Sequence, residues 1–360
     1  MHDRASDVND DPRLTNAGTR PVRRPRAVGR SSVSPLTVAG IDIGASGIRV
    51  GVDANGKVAR HERAVAMPMV GGEIDERALA ELIEQELRFA AGQLAVSWFD
   101  RVAIGMAGLP DRISDPTGLA RLMHRTVSVE SIIMAGDVVT THLGALDRQE
   151  GAVVAAGTGV VALGTDFQSV WKRADGWGTL LGDEGGGAWV GMAGLRAALR
   201  AYDGRADGSR PLLERMRAQF GEPQTLVEHV YGHGSPASRL AAFAPAVAHA
   251  AHAGDPVAAG IWREAATRLA EAVSAVASAV EPLISWGGRL FDAGEIVLEP
   301  FKEAVRSRIP GARLVEPKGS SVDGALLLAR ATDDAVVQSH EPYVYVFDRL
   351  VPARPGRTRG

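Results

Sequence analysis

Apolar and polar positions follow a similar pattern in the two halves of the chain. Two apolar runs flank a glycine turn at residues 38–52, and two more flank Gly157-Thr158-Gly159 at residues 151–165. Short runs with period-two alternation, bounded by turn residues, predict strands. Asn55-Gly56 between two such runs is a strong hairpin signal. Each half is therefore predicted to open with a β-meander.

Helical and further strand patterns follow each predicted meander. Residues 74–94 place apolar side chains on one helical face: Leu79, Leu82, Ile83, Leu87 and Ala90. Strands are predicted at RVAIGMAG, SIIMAGD, GARLVEP and PYVYVF, and helices at VVTTHLGAL, 188–201, 240–282 and SVDGALLLARA. Because Pro245 lies within 240–282, that stretch is expected to form at least two helices.

This repeated order predicts an α/β protein with two domains in tandem. The expected domains are residues 36–135 and 136–332, leaving open a return of the last helix to the first domain. Residues 1–35 are arginine-rich with few large apolar groups, which predicts a disordered, solvated arm, with nucleic-acid contact as the alternative. Residues 333–360 form a tail with no clear placement.

Composition narrows the possible functions. The 360 residues contain no cysteine, which excludes disulfides, thiolate zinc sites, iron–sulfur clusters and a cysteine nucleophile. The net charge of −3 does not favour nucleic acid or membrane as a partner. No apolar run approaches the ~20 residues of a membrane span. We therefore expect a cytoplasmic protein.

The two glycine turns are candidate phosphate-binding elements. Asp42 ends an apolar run just before Gly44-Ala45-Ser46, and Gly157-Thr158-Gly159 sits between two apolar runs. Such turns expose backbone N–H groups that suit phosphate oxygens, and a carboxylate beside them can hold hydrated Mg²⁺. An ordinary glycine hairpin is the alternative for each.

Two further positions have chemical potential. Asp137 follows a strand pattern and precedes a helix, at the strand end where α/β folds place ligands. It could accept a proton from a hydroxyl, or simply cap the helix. Gly287-Gly288 would let a flat base approach the backbone closely, the alternative being a helix C-cap.

The succession of these motifs resembles the actin-like, sugar kinase and heat-shock ATPase superfamily over about residues 38–331. Within it, DGWGTLLGDEGGGAWVG at 175–191 resembles the BadF/BadG/BcrA/BcrD type, which includes N-acetylglucosamine kinases. The resemblance implies two ribonuclease-H-like domains that close over ATP and sugar in a central cleft, and a homodimer. It implies ATP-dependent phosphorylation of an amino sugar hydroxyl, with ATP and Mg²⁺ as cofactors.

The resemblance also implies roles for individual residues. Asp137 would be the general base and Asp42 would orient Mg²⁺ through water. The implied sugar-binding residues are Asp183, Glu184, Trp177, Gly178 and Gly108, with Glu184 alternatively ordering its turn. The implied nucleotide-binding residues are Gly44, Ala45, Ser46, Gly157, Thr158, Gly159, Gly287 and Gly288.

The chain departs from the family pattern at several positions. Val160 stands where serine is frequent, Gly185–Gly187 replace Gly-Ser-Ala, and Ala45 replaces a glycine. MPMVGGE at 67–73 replaces an asparagine-containing loop that contacts the sugar in N-acetylglucosamine kinases, which leaves glucosamine or another amino sugar open. A non-catalytic sensor and a cluster-free ATPase remain alternatives. The absence of cysteine excludes the iron–sulfur activators of the same family.

Overall fold

The computed structural model describes residues 36–45, 47–109, 111–113, 115–232, 235–331 and 338–349. The predicted arm at 1–35 and much of the predicted tail lie outside these ranges, as does Ser46.

The described residues form thirteen strands and eleven α-helices. The strands are β1 Thr37–Gly44, β2 Gly47–Ala54, β3 Lys57–Arg63, β4 Met69–Val70, β5 Glu73–Ile74, β6 Phe99–Met106, β7 Val129–Gly136, β8 Gly151–Ala156, β9 Val160–Thr165, β10 Trp171–Asp175, β11 Leu283–Gly287, β12 Arg313–Leu314 and β13 Val344–Asp348. The helices are α1 Glu76–Gly92, α2 Thr117–Thr126, α3 Asp137–Leu146, α4 Gly187–Tyr202, α5 Arg210–Phe220, α6 Pro223–Tyr231, α7 Pro236–Ala241, α8 Ala244–His252, α9 Pro256–Ala277, α10 Glu295–Arg308 and α11 Ser321–Arg330.

Two mixed sheets share one strand order. The first runs β13-β7-β6-β1-β2-β3. The second, written in the opposite direction so that its meander comes last, runs β12-β11-β8-β9-β10. In each, a three-stranded antiparallel meander is followed by two parallel strands added beside the first strand of the meander. The first sheet carries β13 as an extra antiparallel edge strand. The mixed α/β class predicted from the sequence is therefore confirmed.

Local sequence explains the first meander. β1 and β2 pair from Thr37↔Ala54 to Gly44↔Gly47, and β2 continues into β3 through Asn55-Gly56. Both turn residues have positive φ, 55° and 78°, as a two-residue hairpin of this kind requires. The predicted hairpin is thus confirmed.

Helix α1 covers one face of the first sheet. Asp75 caps it, because its carboxylate accepts hydrogen bonds from the amides of Arg77 and Ala78 at 3.1 and 3.0 Å. Its buried apolar residues include Leu79, Ile83 and Leu87, at the predicted helical spacing.

Helices α3 and α11 cross almost backbone to backbone, next to both sheets. A Cβ added at Gly324 would meet the backbone of Thr140 and Gly144, and one added at Gly144 would meet the Ser320 carbonyl. Helix α11 also lies on β1, because a Cβ at Gly40 would meet the backbone of Leu326. The last helix therefore packs on the first sheet, an arrangement that the sequence left open.

Most predicted elements are present, but several others were not predicted. The stretch 240–282 contains parts of three helices, α7, α8 and α9, consistent with the expected break. Gly287 ends strand β11, so the helix C-cap alternative for Gly287-Gly288 is wrong. Strand β10 and helices α2, α5 and α6 were not predicted. Within the described ranges, no helix is long and apolar enough to cross a membrane.

Candidate active site

The two glycine turns lie at equivalent points of the two sheets. Gly44 ends β1 and Ala45 follows it, and Gly157–Gly159 connects β8 to β9 with the Gly157 amide donating to the Gly159 carbonyl at 2.9 Å. Gly157 is exposed, and a Cβ there would meet nothing within 4 Å. Its backbone is therefore open to a ligand.

Asp42 is a buried carboxylate at the end of β1. It is 6% exposed and accepts a hydrogen bond from Arg49 Nη1 at 2.7 Å, while Arg49 Nε contacts Glu62 at 3.0 Å. Burial raises the pKa of Asp42, and the Arg49 guanidinium partly opposes that rise. Within the described ranges, no group of three or more His, Cys, Asp or Glu is arranged to hold a metal ion.

Asp137 is the first residue of α3, directly after β7. Gly136 takes the N-cap position and no side chain caps the helix, so the helix-capping alternative for Asp137 is wrong. Burial raises the pKa of Asp137 to about 7, with the nearby Asp42 carboxylate adding to the rise and Val138 N–H and Arg173 opposing it. A carboxyl group whose pKa is near neutrality is suited to proton transfer.

Arg173 on β10 was not predicted as a site residue. Its Nη2 donates to Asp111 at 2.5 Å and to the Gly176 carbonyl at 2.9 Å. Because Asp111 lies in the loop after β6, this ion pair joins the second sheet to the first. The guanidinium opposes the rise in the pKa of both Asp137 and Asp183, so Arg173 is a cation that acts on two carboxyl groups of the acidic cluster.

Asp183 connects the two turns of the second sheet. Its carboxylate accepts hydrogen bonds from the amides of Val160 and Gly178, and a Cβ at Gly159 would collide with it. Burial raises the pKa of Asp183 despite these amides. At the frequent serine position, Val160 thus contributes its backbone rather than a hydroxyl.

Asp175 holds the Asp183 turn in its conformation. Its Oδ1 accepts from the amides of Gly176 and Asp183, at 2.9 and 2.7 Å. Both aspartates have positive φ, 63° and 56°, a conformation that aspartate tolerates better than most residues. Trp171, Arg173 and Asp175 occupy alternate positions along β10. This period-two spacing before Gly176 is the pattern in the sequence that could have indicated Arg173 as a site residue.

Trp177 and Glu184 differ from the other predicted sugar-binding residues in their exposure. Trp177 is 64% exposed, with the Arg173 guanidinium 5.5 Å from its ring centroid. Glu184 is exposed and lies 3.8 Å from Arg268 Nη1 on α9. Gly178 lies next to Trp177 with φ 83° and donates its amide to Asp183.

The remaining predicted glycines border the same region. Gly288 has φ 95°, and a Cβ there would meet the Ala156 carbonyl at the end of β8. A Cβ at Gly287 would meet Thr141 on α3. Gly108 has φ 92° in the turn after β6, where its carbonyl accepts from the Arg112 amide at 2.6 Å.

The structure therefore brings several predicted groups together. Asp42, Asp183 and Arg173 each act on the pKa of Asp137, and the Gly157–Gly159 turn contacts Asp183. Two α/β sheets of one strand order, with acidic groups near strand ends and glycine turns at equivalent points, form the architecture that this protein shares with solved sugar kinases.

A comparison with protein families gives the assignment. The chain belongs to the BadF/BadG/BcrA/BcrD ATPase family, whose model matches residues 39–329. The resemblance seen in the sequence is thus confirmed.

Two relatives with named activities cover most of the chain. It is 27% identical over 269 residues to an N-acetylmuramic acid/N-acetylglucosamine kinase of Clostridium acetobutylicum. The aligned residues cover 72% of this chain and 86% of the relative. It is 25% identical over 301 residues to an N-acetyl-D-glucosamine kinase of Dictyostelium discoideum, covering 78% of this chain and 93% of the relative.

Solved structures show the same fold. A candidate N-acetylglucosamine kinase of Chromobacterium violaceum superimposes with a TM-score of 0.62 at 25% identity, over 83% of this chain and all of the other. A ROK family glucokinase of Streptomyces griseus, solved with glucose and AMPPNP, gives 0.60 at 18% identity, over 82% of this chain and 99% of the other. The second likeness shows the fold alone.

Proposed function

We propose that the protein is an ATP-dependent sugar kinase that phosphorylates a hydroxyl of an amino sugar. The family and the two named relatives support this activity. The observation that carries the mechanism is Asp137, a buried carboxyl with a pKa of about 7 at the carboxyl end of β7. In this proposal, residues 36–135 and 136–332 form two ribonuclease-H-like domains with the site in the cleft between them.

The proton transfer is assigned to Asp137. Its carboxylate accepts the proton of the sugar hydroxyl while that oxygen bonds to the γ-phosphorus of ATP and the bond from phosphorus to the ADP oxygen breaks. A base of this kind contributes about 10²–10⁴-fold to the rate. Arg173 opposes the rise in the pKa of Asp137 and so keeps a larger fraction of it ionised at neutral pH.

The nucleotide is assigned to the glycine turns. Gly44, Ala45 and Ser46 and residues Gly157, Thr158 and Gly159 would hold phosphate oxygens, and Gly287 and Gly288 would line the adenosine. The open Gly157 backbone and the absence of room for a Cβ at Gly288 fit these roles. Backbone amides suit phosphoryl transfer, which depends mainly on positioning and on charge stabilisation.

The donor set at Asp42 fits a hydrated magnesium ion. Mg²⁺ usually binds through one or two carboxylates together with phosphate oxygens and water. Asp42 acts on Asp137 as a like charge, so a cation beside it would relieve the repulsion. When bound, Mg²⁺ neutralises charge on the transferring phosphate.

The sugar is assigned to the Asp183 turn. The Asp183 carboxylate accepts hydrogen bonds from two amides. Because a carboxylate has about four acceptor sites, some remain for sugar hydroxyls. Trp177 would cover an apolar face of the ring, with Gly178 and Gly108 lining the pocket. For Glu184 we favour ordering of its turn, because it lies beside Arg268.

The amino-sugar substituent is left open by the segment at 67–73. Residues Met69–Val70 and Glu73–Ile74 form a small hairpin there, and its Gly72 carbonyl accepts from Arg112 at 3.4 Å, beside the Gly108 turn. The test panel should therefore include glucosamine, N-acetylglucosamine, N-acetylmuramic acid and glucose.

The test is ADP release by the full chain with each sugar and with none. We expect release that requires an amino sugar and that is lost in Asp137→Asn. Asp147→Asn, at the half-exposed far end of α3, is the matched control and should keep the wild-type rate. Release without sugar would favour an ATPase, and sugar or nucleotide binding without any release would favour a sensor.

Homodimer formation is a separate expectation that rests on the family resemblance. Sedimentation of the full chain tests it, and a monomer mass at assay concentrations would contradict it.

A further inference from the structure

The segment 338–349 lies beside the candidate base although the family match ends at residue 329. Strand β13 pairs with β7 from Val344↔Ala135 to Asp348↔Ser131. The pairing continues one step further, because the Gly136 amide donates to the Tyr343 carbonyl at 3.2 Å. Tyr343 is thus hydrogen-bonded to the residue that immediately precedes Asp137.

Tyr343 also contacts the other sheet. Its ring stacks on Trp171 of β10, with centroids 5.3 Å apart and planes at 21°, and its hydroxyl donates to the Trp171 carbonyl at 3.3 Å. The His340 ring lies against the same indole at 5.1 Å. This short segment therefore contacts the end of β7 through its backbone and the start of β10 through its side chains.

Strand β10 carries this contact to the acidic cluster. Trp171 and Arg173 are two residues apart and thus on the same side of the strand. Arg173 pairs with Asp111 at 2.5 Å, so β10 is joined to the first sheet at two neighbouring points. The Arg173 guanidinium and the Asp111 carboxylate are close enough to the phenol to act on the pKa of Tyr343.

We propose that Tyr343 is a positioning residue of the active site, which clamps β10 against the end of β7 and thereby holds Arg173 near Asp137. The segment 338–349 is then a functional part of the site. The inference rests on the proposed function for its kinetic test, but the geometry that it invokes can be measured without catalysis.

Loss of the clamp has a specific consequence for proton transfer. Arg173 opposes the rise in the pKa of Asp137 that burial and Asp42 produce. If Arg173 moves away, the pKa of Asp137 rises further, and less of the base is ionised at pH 7. A misplaced base lowers turnover more than it lowers sugar binding.

The kinetic experiment compares Tyr343→Ala with Tyr343→Phe and Tyr345→Ala. Tyr343→Ala removes the stacked ring, and we expect kcat to fall roughly 10- to 100-fold, with a smaller change in the KM for sugar. The acid limb of its pH profile should move to higher pH. Tyr343→Phe keeps the ring and the backbone contact and should restore most of the rate.

Tyr345→Ala is the control for the loss of a neighbouring tyrosine ring. Tyr345 lies two residues further on, in β13, and its ring packs in the core of the first sheet and stacks with Phe347. Its loss should lower the unfolding temperature without moving the acid limb. Equal kcat values and equal acid limbs for the two alanine variants, per mole of folded protein, would overturn the proposal.

A second readout separates this inference from the kinase assignment. Carboxyl ¹³C NMR of the nucleotide-free protein, assigned with Asp137→Asn, follows the titration of Asp137 directly. Tyr343→Ala should raise that midpoint while Tyr345→Ala leaves it in place, even if no sugar is phosphorylated. An unchanged midpoint in Tyr343→Ala would contradict the clamp.

Discussion

The substitution Asp137→Asn tests both the chemistry and the electrostatics of the site. Asparagine has nearly the same shape but cannot accept the proton of a hydroxyl. We expect kcat to fall by about 10²–10⁴-fold, the usual contribution of a general base. Nucleotide binding should persist, because no contact assigned to ATP involves this side chain. In the wild type, kcat/KM should rise with pH up to about 7 and then level off, following ionisation of Asp137.

The same substitution should make the protein more stable at alkaline pH. The pKa of Asp137 lies at about 7 in the fold against 3.8 for a free aspartate, a difference of about three pKa units. At ~1.4 kcal/mol per unit, ionising it in the fold costs about 4 kcal/mol. That cost is absent below pH 4, grows between pH 4 and 7, and is complete above pH 7. Asparagine never ionises, so the variant avoids it.

The assay is urea unfolding of both proteins at several pH values between 4 and 8. The free energy of unfolding of Asp137→Asn should match the wild type at about pH 4 and exceed it by about 4 kcal/mol at pH 8. Asp147→Asn, at the half-exposed end of α3, should show no such trend. A stability difference that does not grow with pH would refute the assignment of a raised pKa to Asp137. Retention of most of the wild-type turnover would remove it from the mechanism.

Three further substitutions test other parts of the structure. Gly288→Ala should lower the free energy of unfolding and weaken nucleotide binding, measured by calorimetry, because a Cβ at this position meets the carbonyl at the end of β8. In the control Gly311→Ala, the glycine also has positive φ but a Cβ meets nothing within 4 Å, so the free energy of unfolding should fall by only about 1–2 kcal/mol. Gly324→Ala should destabilise by roughly 1–3 kcal/mol or more in urea, since a methyl group forces α11 away from α3, whereas Gly92→Ala in open space near the end of α1 should be neutral or stabilising. Arg173→Gln should shift the acid limb of kcat/KM to higher pH; an unmoved limb would mean that its charge does not act on the base.

Local patterns were sufficient to predict the strands and turns that position the acidic residues. The Asn55-Gly56 hairpin, the α1 helical face and the strand before Asp137 all depend on neighbours in sequence. Asp42, Asp137 and the glycine turns could be proposed because strand ends and tight turns have recognisable local signals. The order of these motifs then indicated the family.

Contacts between distant segments were not predictable in this way. Strand β10 is an edge strand whose WKRAD sequence mixes charged, aromatic and small residues, so the apolar signal for a strand is weak. Arg173 pairs with Asp111, which is 62 positions away in the sequence, and Tyr343 contacts Trp171, which is 172 positions away. Neither pairing produces a periodic pattern in the sequence, because each depends on how the two sheets come together.

The shared strand order of the two sheets has a consequence for charge. Both meanders have a turn at the same topological position, yet the residue two places before the end of the strand that leads to the turn is Asp42 in β1 and Val154 in β8. Val154 is fully buried in the apolar core of the second sheet. The first meander thus carries its own carboxylate beside its turn, whereas the turn of the second meander meets the carboxylate of Asp183, which comes from a later segment of the chain. In the proposed function, this chemical difference between two halves of the same strand order would give the phosphate chain of ATP a single end, beside Asp42, at which its cation is held.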